Sequence, residues 1–284
     1  MLETISTTKI FEGTQGIFTH ESAVCQCTMR FAVFVPPQAR DKAVRLPVLF
    51  WLSGLTCTEE NFITKAGAQK IAAELGLVIV APDTSPRGPG VPDDPDGAYD
   101  LGLGAGFYVN ATRAPWHMHY QMEDYITREL MGVIKGQFPV DVNAIGIFGH
   151  SMGGHGALTL YLKHRNLYRS CTAFAPIVAP SSVPWGKKAL TAYLGPDENA
   201  WRNADAVALL TDRGPTQTSI LIDQGTEDPF LDDQLKPQLF ARAAQNTGQS
   251  VRLRMQPGYD HSYNFIATFM EDHLRWHHQQ LTQD

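Results

Sequence analysis

The sequence predicts an α/β fold, in which a mostly parallel central sheet carries helices on both faces and antiparallel strands at its N-terminal end. One observation is the continuous apolar character of residues 48–52 and 77–81, which is typical of strands buried on both faces. Another is that segments of helical periodicity alternate with such runs along the chain. The third is residues 145–156, where a strand, a tight turn and a helix follow directly on one another.

Length and composition indicate an ordinary globular domain. The chain has 284 residues, of which 43% are hydrophobic and 18% charged, and its sequence contains no linker-like segment or internal repeat. A single domain over residues 1–284 is therefore predicted. The formal charge of −6, without any stretch rich in Lys and Arg, argues against a nucleic-acid-binding surface.

The sequence shows no sign of export or membrane insertion. Its first residues lack the basic and apolar parts of a signal peptide, and no run approaches the roughly 18 apolar residues of a membrane span. We therefore expect a cytoplasmic protein without membrane contact. The four cysteines are scattered without zinc-site spacing, so we expect reduced thiols and no structural metal.

The first elements are predicted to be antiparallel strands at a sheet edge. Residues 16–19 and 29–35 lie in alternating and aromatic-rich stretches that are separated by polar turns. The next predicted elements are a buried strand at 48–52, a helix at 66–75 and a buried strand at 77–81. Gly76 is expected to end that helix.

The alternation continues to the end of the chain. The predicted elements are a helix at 120–134, the strand at 145–148 and its helix, strands at 171–174, 219–222 and 251–255, and a final helix at 265–281. Two long segments, 83–116 and 175–212, show no clear periodicity. Because long irregular segments in a compact domain are usually functional, we expect them to form walls over a site at the carboxyl ends of the strands.

Residues 149–153, Gly-His-Ser-Met-Gly, fit the Gly-x-Ser-x-Gly nucleophile elbow. In such a turn the serine adopts a strained backbone conformation that lifts its hydroxyl above the strand ends, and glycine is needed where a Cβ would collide with neighbouring backbone. Since a strand precedes this turn and a helix follows it, Ser151 is predicted to be a catalytic nucleophile.

A serine nucleophile needs a base, which in turn needs an acid, and after such an elbow the order is serine, acid, histidine. The acidic candidates after the strand at 219–222 are Asp223, Glu227, Asp228, Asp232 and Asp233. Asp228 is favoured because it lies just past the strand and Gly225, where a side chain can bend back over the sheet. Asp223 has a structural interpretation, and Asp232 and Asp233 are interpreted as helix caps.

Ten histidines compete for the role of base. His261 is favoured because it follows the last strand in a loop, where a general base can move. Six others have different interpretations, which are the elbow itself for His150 and His155, solvent exposure for His277 and His278, and a metal site without supporting partners for His117 and His119.

Two backbone N–H groups are expected to form an oxyanion hole. One belongs to the residue after the nucleophile, Met152, and the other to the loop after the strand at 48–52. In that loop Leu55 is favoured, and a routine strand-ending turn is the alternative.

The elbow is one of several stretches that carry a family likeness. They include WLSGLTCT at 51–58, NF at 61–62, APDTSPRG at 81–88, GAGFYVNA at 104–111, GHSMGGHG at 149–156, PWGKKA at 184–189, DQG at 223–225 and GYDHSY at 258–263. Together they resemble the S-formylglutathione hydrolases, the esterase D family of α/β-hydrolases. The resemblance implies a cytoplasmic, cofactor-free thioesterase that converts S-formylglutathione and water to glutathione and formate. It also implies side activity on short-chain esters and a homodimer.

Applied residue by residue, the resemblance implies Ser151 as nucleophile, Asp228 as acid and His261 as base, with the N–H groups of Leu55 and Met152 as the oxyanion hole. A general carboxylesterase, an acyltransferase and a binding protein on an inactive scaffold remain alternatives.

The resemblance also suggests residues of the substrate pocket. Cys57 is implied to lie near the pocket without being catalytic, and Trp185 to line it. Basic side chains in the loop regions could meet the carboxylates of glutathione, with a solvated surface charge as the alternative for each, and these are Arg87, Arg113, Lys187 and Lys188.

Overall fold

The structure, a computed structural model that describes residues 2–282, is organised around one nine-stranded sheet. The strands are β1 (Glu3–Ile10), β2 (Gly13–Ser22), β3 (Cys27–Val35), β4 (Leu46–Leu52), β5 (Val78–Pro82), β6 (Val140–His150), β7 (Ser170–Phe174), β8 (Ile220–Gly225) and β9 (Val251–Gln256). Their order in the sheet is β1-β2-β3-β5-β4-β6-β7-β8-β9. Strands β1, β2, β3 and β5 pair antiparallel in that order, and the remaining neighbours pair parallel. The predicted sheet, mostly parallel with antiparallel N-terminal strands, is confirmed.

Helices fill most of the connections between the parallel strands. The α-helices are α1 (Glu59–Lys65), α2 (Gln69–Leu75), α3 (Met122–Asp124), α4 (Met131–Gln137), α5 (Met152–Lys163), α6 (Pro184–Leu194), α7 (Glu198–Trp201), α8 (Ala206–Arg213), α9 (Pro237–Thr247) and α10 (Tyr263–Thr282). A π-helical stretch, Tyr125–Leu130, joins α3 to α4 without a break.

Helices α5 and α10 pack on opposite faces of the sheet. On β7, Ser170 and Thr172 hydrogen-bond to His277 of α10, while Cys171 Sγ contacts the carbonyl of Ala157 in α5. Because successive side chains of a strand point to opposite faces, the two helices cover the two sides of the sheet centre. The expected solvent exposure of His277 is therefore wrong, since hydroxyl groups on β7 give its ring partners inside the protein.

The central strands are recognisable in the sequence because both of their faces are covered. Every residue of β5 is buried, and so is every residue of β4 except the second. Strand β1 is the opposite case, because all but its last residue is exposed. It pairs only with β2 and forms one edge of the sheet.

Two predicted segments differ from the structure. The helix predicted at 66–75 is α2 and begins three residues later, at Gln69, because Gly67 adopts a positive φ of 67° between α2 and a preceding helix, α1, that was not predicted. Gly76 ends α2 in the left-handed conformation, as predicted. The segment 175–212 is not irregular, since it contains α6, α7 and most of α8, whereas 83–116 has no helix or strand before Trp116.

Candidate active site

The predicted elbow joins β6 directly to α5, and its centre is Ser151. This residue has φ 59° and ψ −117°, a strained backbone conformation for a residue with a side chain. The flanking glycines are required by close packing. A Cβ on Gly153 would lie 1.9 Å from the carbonyl oxygen of Leu52, and one on Gly149 would lie 2.3 Å from that of Gly153. The tight contact of the elbow with β4 therefore holds the serine at the carboxyl end of the sheet.

Ser151 lines a cavity of about 290 Å³. The other lining residues are Gly54, Leu55, Thr56, Cys57, Tyr99, His150, Trp185, Phe230, His261, Ser262 and Tyr263. Most of these side chains are aromatic or apolar, so the cavity suits a small acyl group next to a few polar atoms.

Asp228 and His261 form a hydrogen-bonded pair at this cavity. The distance from His261 Nδ1 to Asp228 Oδ2 is 2.5 Å, and the Asp228 side chain is fully buried. The same carboxylate accepts from Gln224 Nε2 at 3.1 Å and from the Phe230 N–H at 2.9 Å. Because a carboxylate only accepts, Nδ1 of His261 is the donor, and this tautomer leaves Nε2 free to accept a proton.

The nucleophile and the base line the same cavity. Among residues 2–282, no hydrogen bond joins Ser151 Oγ to the ring of His261. In enzymes without substrate such a bond is often long or poorly aligned, and it tightens when substrate binds. Ser151 and His261 therefore line one cavity, Asp228 is hydrogen-bonded to His261, and the hydrogen bond between Ser151 and His261 is left to be made.

Backbone N–H groups of Leu55 and Met152 are available beside the serine. In the described chain, 2–282, neither group donates to a protein atom, and that of Met152 is the first of helix α5. The loop is pressed against the elbow, because a Cβ on Gly54 would lie 3.2 Å from Ser151 Cβ. Two donors at the start of a helix and in an adjoining loop are the arrangement of an oxyanion hole.

The other acidic candidates lie in different surroundings. Asp223 forms an ion pair with Arg254 and hydrogen-bonds to His273, away from the cavity lining. Burial alone would raise the pKa of Asp223, but hydrogen bonds from His273 and Arg254 lower it to about 2. The structural interpretation of this residue agrees with these contacts, and Glu227 is exposed.

The interpretation of Asp232 and Asp233 as helix caps is wrong. Both lie inside a π-helical turn, Leu231–Leu235, and neither side chain caps a helix in the described part of the chain. The helix that follows, α9, begins at Pro237, which needs no N–H partner at its first position.

The two histidines of the elbow, His150 and His155, are buried next to the candidate active site. The ring of His150 is 4.3 Å from that of His261, and burial, followed by the nearby His261, lowers the pKa of His150 well below its usual range. His155 hydrogen-bonds through Nε2 to the carbonyl of Phe107 at 3.0 Å, and burial lowers its pKa to about 4. Outside the elbow, His119 hydrogen-bonds to the carbonyl of Cys25.

The two residues implied to be at the pocket, Cys57 and Trp185, both line the cavity. Burial raises the pKa of the Cys57 thiol, which keeps it protonated at neutral pH. Trp185 donates from Nε1 to the Tyr99 hydroxyl at 3.0 Å and packs against Phe230, whose ring contacts that of His261.

Tyr99, Phe230 and Tyr263 line the cavity but were not singled out in the sequence. Tyr263 could have been identified because it lies two residues after His261. Tyr99 carries no such signal, since it lies in the irregular segment 83–116.

The structure gives two of the proposed cations other partners. Arg87 forms an ion pair with Asp83 at 2.8 Å, and Lys188 forms one with Asp100 at 2.5 Å. Arg113 packs beside Gly195 and does not line the cavity. All four cysteines are free thiols, as predicted.

Residues 2–282 contain no group of three or more His, Cys, Asp or Glu side chains arranged to hold a metal ion. Over the same residues, no helix combines the length and the apolar character needed to cross a membrane.

Comparison with known proteins gives consistent results. The family model described as "Putative esterase" matches residues 22–276. S-formylglutathione hydrolases of Rattus norvegicus and Mus musculus are each 52% identical over 281 residues, which is 99% of this chain and 99% of each relative. A solved structure of an S-formylglutathione hydrolase from Agrobacterium tumefaciens has a TM-score of 0.96 and 50% identity, over 98% of this chain and 99% of that chain.

More distant structures share the fold. A fluorophosphonate-binding serine hydrolase from Staphylococcus aureus is 19% identical, with a TM-score of 0.74 over 94% of this chain and 98% of its own.

Proposed function

Because the chain belongs to the esterase family and, within it, to the S-formylglutathione hydrolases, we propose that it hydrolyses S-formylglutathione to glutathione and formate through a formyl-serine intermediate on Ser151. The observation that supports this assignment of residues most directly is the hydrogen bond of 2.5 Å between His261 and Asp228 at the cavity that contains Ser151. Short-chain esters are proposed as secondary substrates, since a small and largely apolar cavity also suits their acyl groups.

In the first half of the reaction, Ser151 Oγ attacks the formyl carbon while its proton passes to His261 Nε2. The Asp228 carboxylate stabilises the imidazolium through the Nδ1 hydrogen bond. The oxyanion forms next to the N–H groups of Leu55 and Met152, and each donor of this kind contributes about 10²–10³ in rate. The carbon–sulfur bond then breaks, and glutathione leaves as a thiol with the proton from His261.

The second half repeats these steps with water in place of the serine hydroxyl. His261 takes a proton from the water that attacks the formyl ester, and then returns a proton to Ser151 as the ester bond breaks. Formate is released and the free enzyme is restored. The reaction consumes one water and needs no redox partner.

The proposal is tested by turnover of S-formylglutathione by the purified protein and its Ser151→Ala variant. Loss of the nucleophile is expected to lower kcat by at least about 10³ with an unchanged circular dichroism spectrum. A fluorophosphonate should label Ser151 of the native protein only, as located by peptide mass spectrometry. Substantial turnover by the variant would contradict the assignment of the nucleophile.

The alternatives predict other rates and products. A general carboxylesterase would have a higher kcat/KM for p-nitrophenyl acetate than for S-formylglutathione. An acyltransferase would yield an acylated alcohol, instead of formate, when an alcohol is added.

We also propose that residues 1–284 form one domain and that the chain acts as a homodimer in the cytoplasm. The single continuous sheet supports the first of these points. Light scattering coupled to size-exclusion chromatography would test the dimer, since a monomer has a mass of 31.4 kDa.

A further inference from the structure

Recognition of glutathione requires more than the acyl cavity. S-formylglutathione carries two carboxylates and one ammonium at neutral pH, all of them on the peptide part of the molecule. The largely apolar cavity around Ser151 suits the formyl group, so the charged arms must meet residues near its edge. Arg87 and Lys188 already have carboxylate partners, which leaves the question of which cation meets the substrate.

Lys65 is a cation that is free to do so. It is the last residue of α1, its side chain is exposed, and no carboxylate of residues 2–282 lies within ion-pair distance of it. Its ammonium lies 5.8 Å from the centre of the Tyr263 ring, within the range of a cation–π contact. Since Tyr263 lines the cavity, this contact holds the ammonium next to the site.

The distances fit the substrate. The Tyr263 ring is 6.4 Å from that of His150, the residue before the nucleophile. The two ring distances together place the ammonium of Lys65 within about 12 Å of the His150 ring. An extended arm of glutathione spans roughly 7–10 Å from the sulfur to a carboxylate, and an ion pair adds up to about 4 Å.

We propose that Lys65 binds a carboxylate of the glutathionyl group and that the Tyr263 ring positions its ammonium for this contact. The proposal rests on the proposed function, because it assigns a residue that selects S-formylglutathione over neutral esters. Lys65 does not touch the reacting atoms, so it changes substrate binding and leaves the chemical step as it is.

The test compares Lys65→Gln and Lys65→Glu with the native enzyme on S-formylglutathione and p-nitrophenyl acetate. The neutral variant is expected to raise KM for S-formylglutathione about threefold to fivefold and the acidic variant about tenfold, with kcat unchanged. KM for the neutral ester should stay within about twofold in both. The matched control is Lys70→Glu, which removes another exposed lysine, outside the cavity lining, and should change neither KM.

Two further measurements separate this proposal from the proposed function. S-methylglutathione, which cannot be hydrolysed, should inhibit ester hydrolysis competitively, with a Ki raised in the Lys65 variants by the same factors. Added NaCl should raise KM for S-formylglutathione in the native enzyme, and less in Lys65→Gln. Equal KM and Ki values in native enzyme and variants would overturn the role of Lys65, whereas failure of the native enzyme to hydrolyse S-formylglutathione would overturn the proposed function instead.

Discussion

Asp223 and Asp228 lie close together in sequence and are both buried, and their partners give them different roles. The charge of the Asp223 carboxylate is balanced by Arg254, and the carboxylate also contacts His273 inside the protein. Asp228 receives a hydrogen bond from His261 at the cavity. A buried carboxylate with a cationic partner contributes to stability, whereas one whose partner is a histidine at a cavity can contribute to catalysis.

We expect Asp228→Asn to abolish most activity without unfolding the protein. The amide has the size of the carboxylate, but it cannot stabilise the imidazolium of His261 and does not fix the same tautomer. A fall in kcat of about 10²–10⁴ follows from comparable changes in serine hydrolases. Steady-state kinetics on S-formylglutathione, together with the thermal midpoint, measure the two effects.

Asp223→Asn is the matched control for this change. Loss of one partner of a buried ion pair costs about 3–5 kcal/mol of unfolding free energy, so the thermal midpoint should fall clearly while the folded fraction keeps most of its kcat. If Asp223→Asn lost activity as Asp228→Asn is expected to, and Asp228→Asn kept it, the acid would be Asp223.

The predictability of the site follows from where its residues lie in the chain. Ser151 lies in a local motif, and Asp228 and His261 follow the ends of strands, so all three could be predicted from the sequence as candidates. Tyr99 reaches the cavity from an irregular segment, and Lys65 lies at the end of a helix beside the ring of Tyr263. Such contacts depend on how loops pack, and a single sequence carries no periodic signal for them.

At the scale of elements, Gly67 explains why the helix predicted at 66–75 begins only at Gln69. Its φ of 67° is not helical and separates α1 from α2, and no atom outside its neighbours lies within 4 Å of an added Cβ. Position 67 therefore has room for a side chain, but its backbone conformation disfavours one. Gly132 in α4 is equally open and does not have a positive φ.

Replacement of each glycine by alanine should change stability in opposite directions. Gly67→Ala is expected to lower the unfolding free energy by about 1–2 kcal/mol, because a Cβ disfavours positive φ. Gly132→Ala is expected to raise it by about 0.4–1 kcal/mol, because alanine is the better helix former and restricts the unfolded chain. Urea unfolding followed by circular dichroism measures both, and destabilisation by both variants would refute the conformational argument.

The elements missed in the sequence were missed for identifiable reasons. Strand β1 is rich in Ser and Thr and exposed on both sides, so burial leaves no alternating pattern in it. Helix α6 does carry apolar residues at helical spacing, at Trp185, Ala189 and Tyr193. That signal spans only three turns between Pro184 and Gly195 and is easily overlooked.

At the scale of the whole molecule, burial of uncharged histidines links stability to pH. Burial lowers the pKa of five of them, and these are His20, His150, His155, His273 and His277. In the unfolded chain each takes up a proton near pH 6.5. Below that pH the unfolded state binds more protons than the folded state, so stability is lost as the pH falls.

His155 allows this link to be measured with a single substitution. Its pKa of about 4 places its contribution between pH 6.5 and 4, and over pH 6.5 to 4.5 it accounts for about 2 kcal/mol of lost unfolding free energy. The Gln amide can keep the hydrogen bond from Nε2 to the Phe107 carbonyl but cannot titrate. His155→Gln should therefore lose about 2 kcal/mol less than the native protein in urea unfolding over that range.

The control for this prediction is His117→Gln, because His117 is exposed and its loss should leave the pH dependence as in the native protein. The comparison uses the change with pH within each protein, so a constant packing cost of the substitution cancels. If His155→Gln and the native protein lost equal stability between pH 6.5 and 4.5, protonation of His155 would not oppose folding. The acid sensitivity would then have to come from other titratable groups, among them the remaining four buried rings.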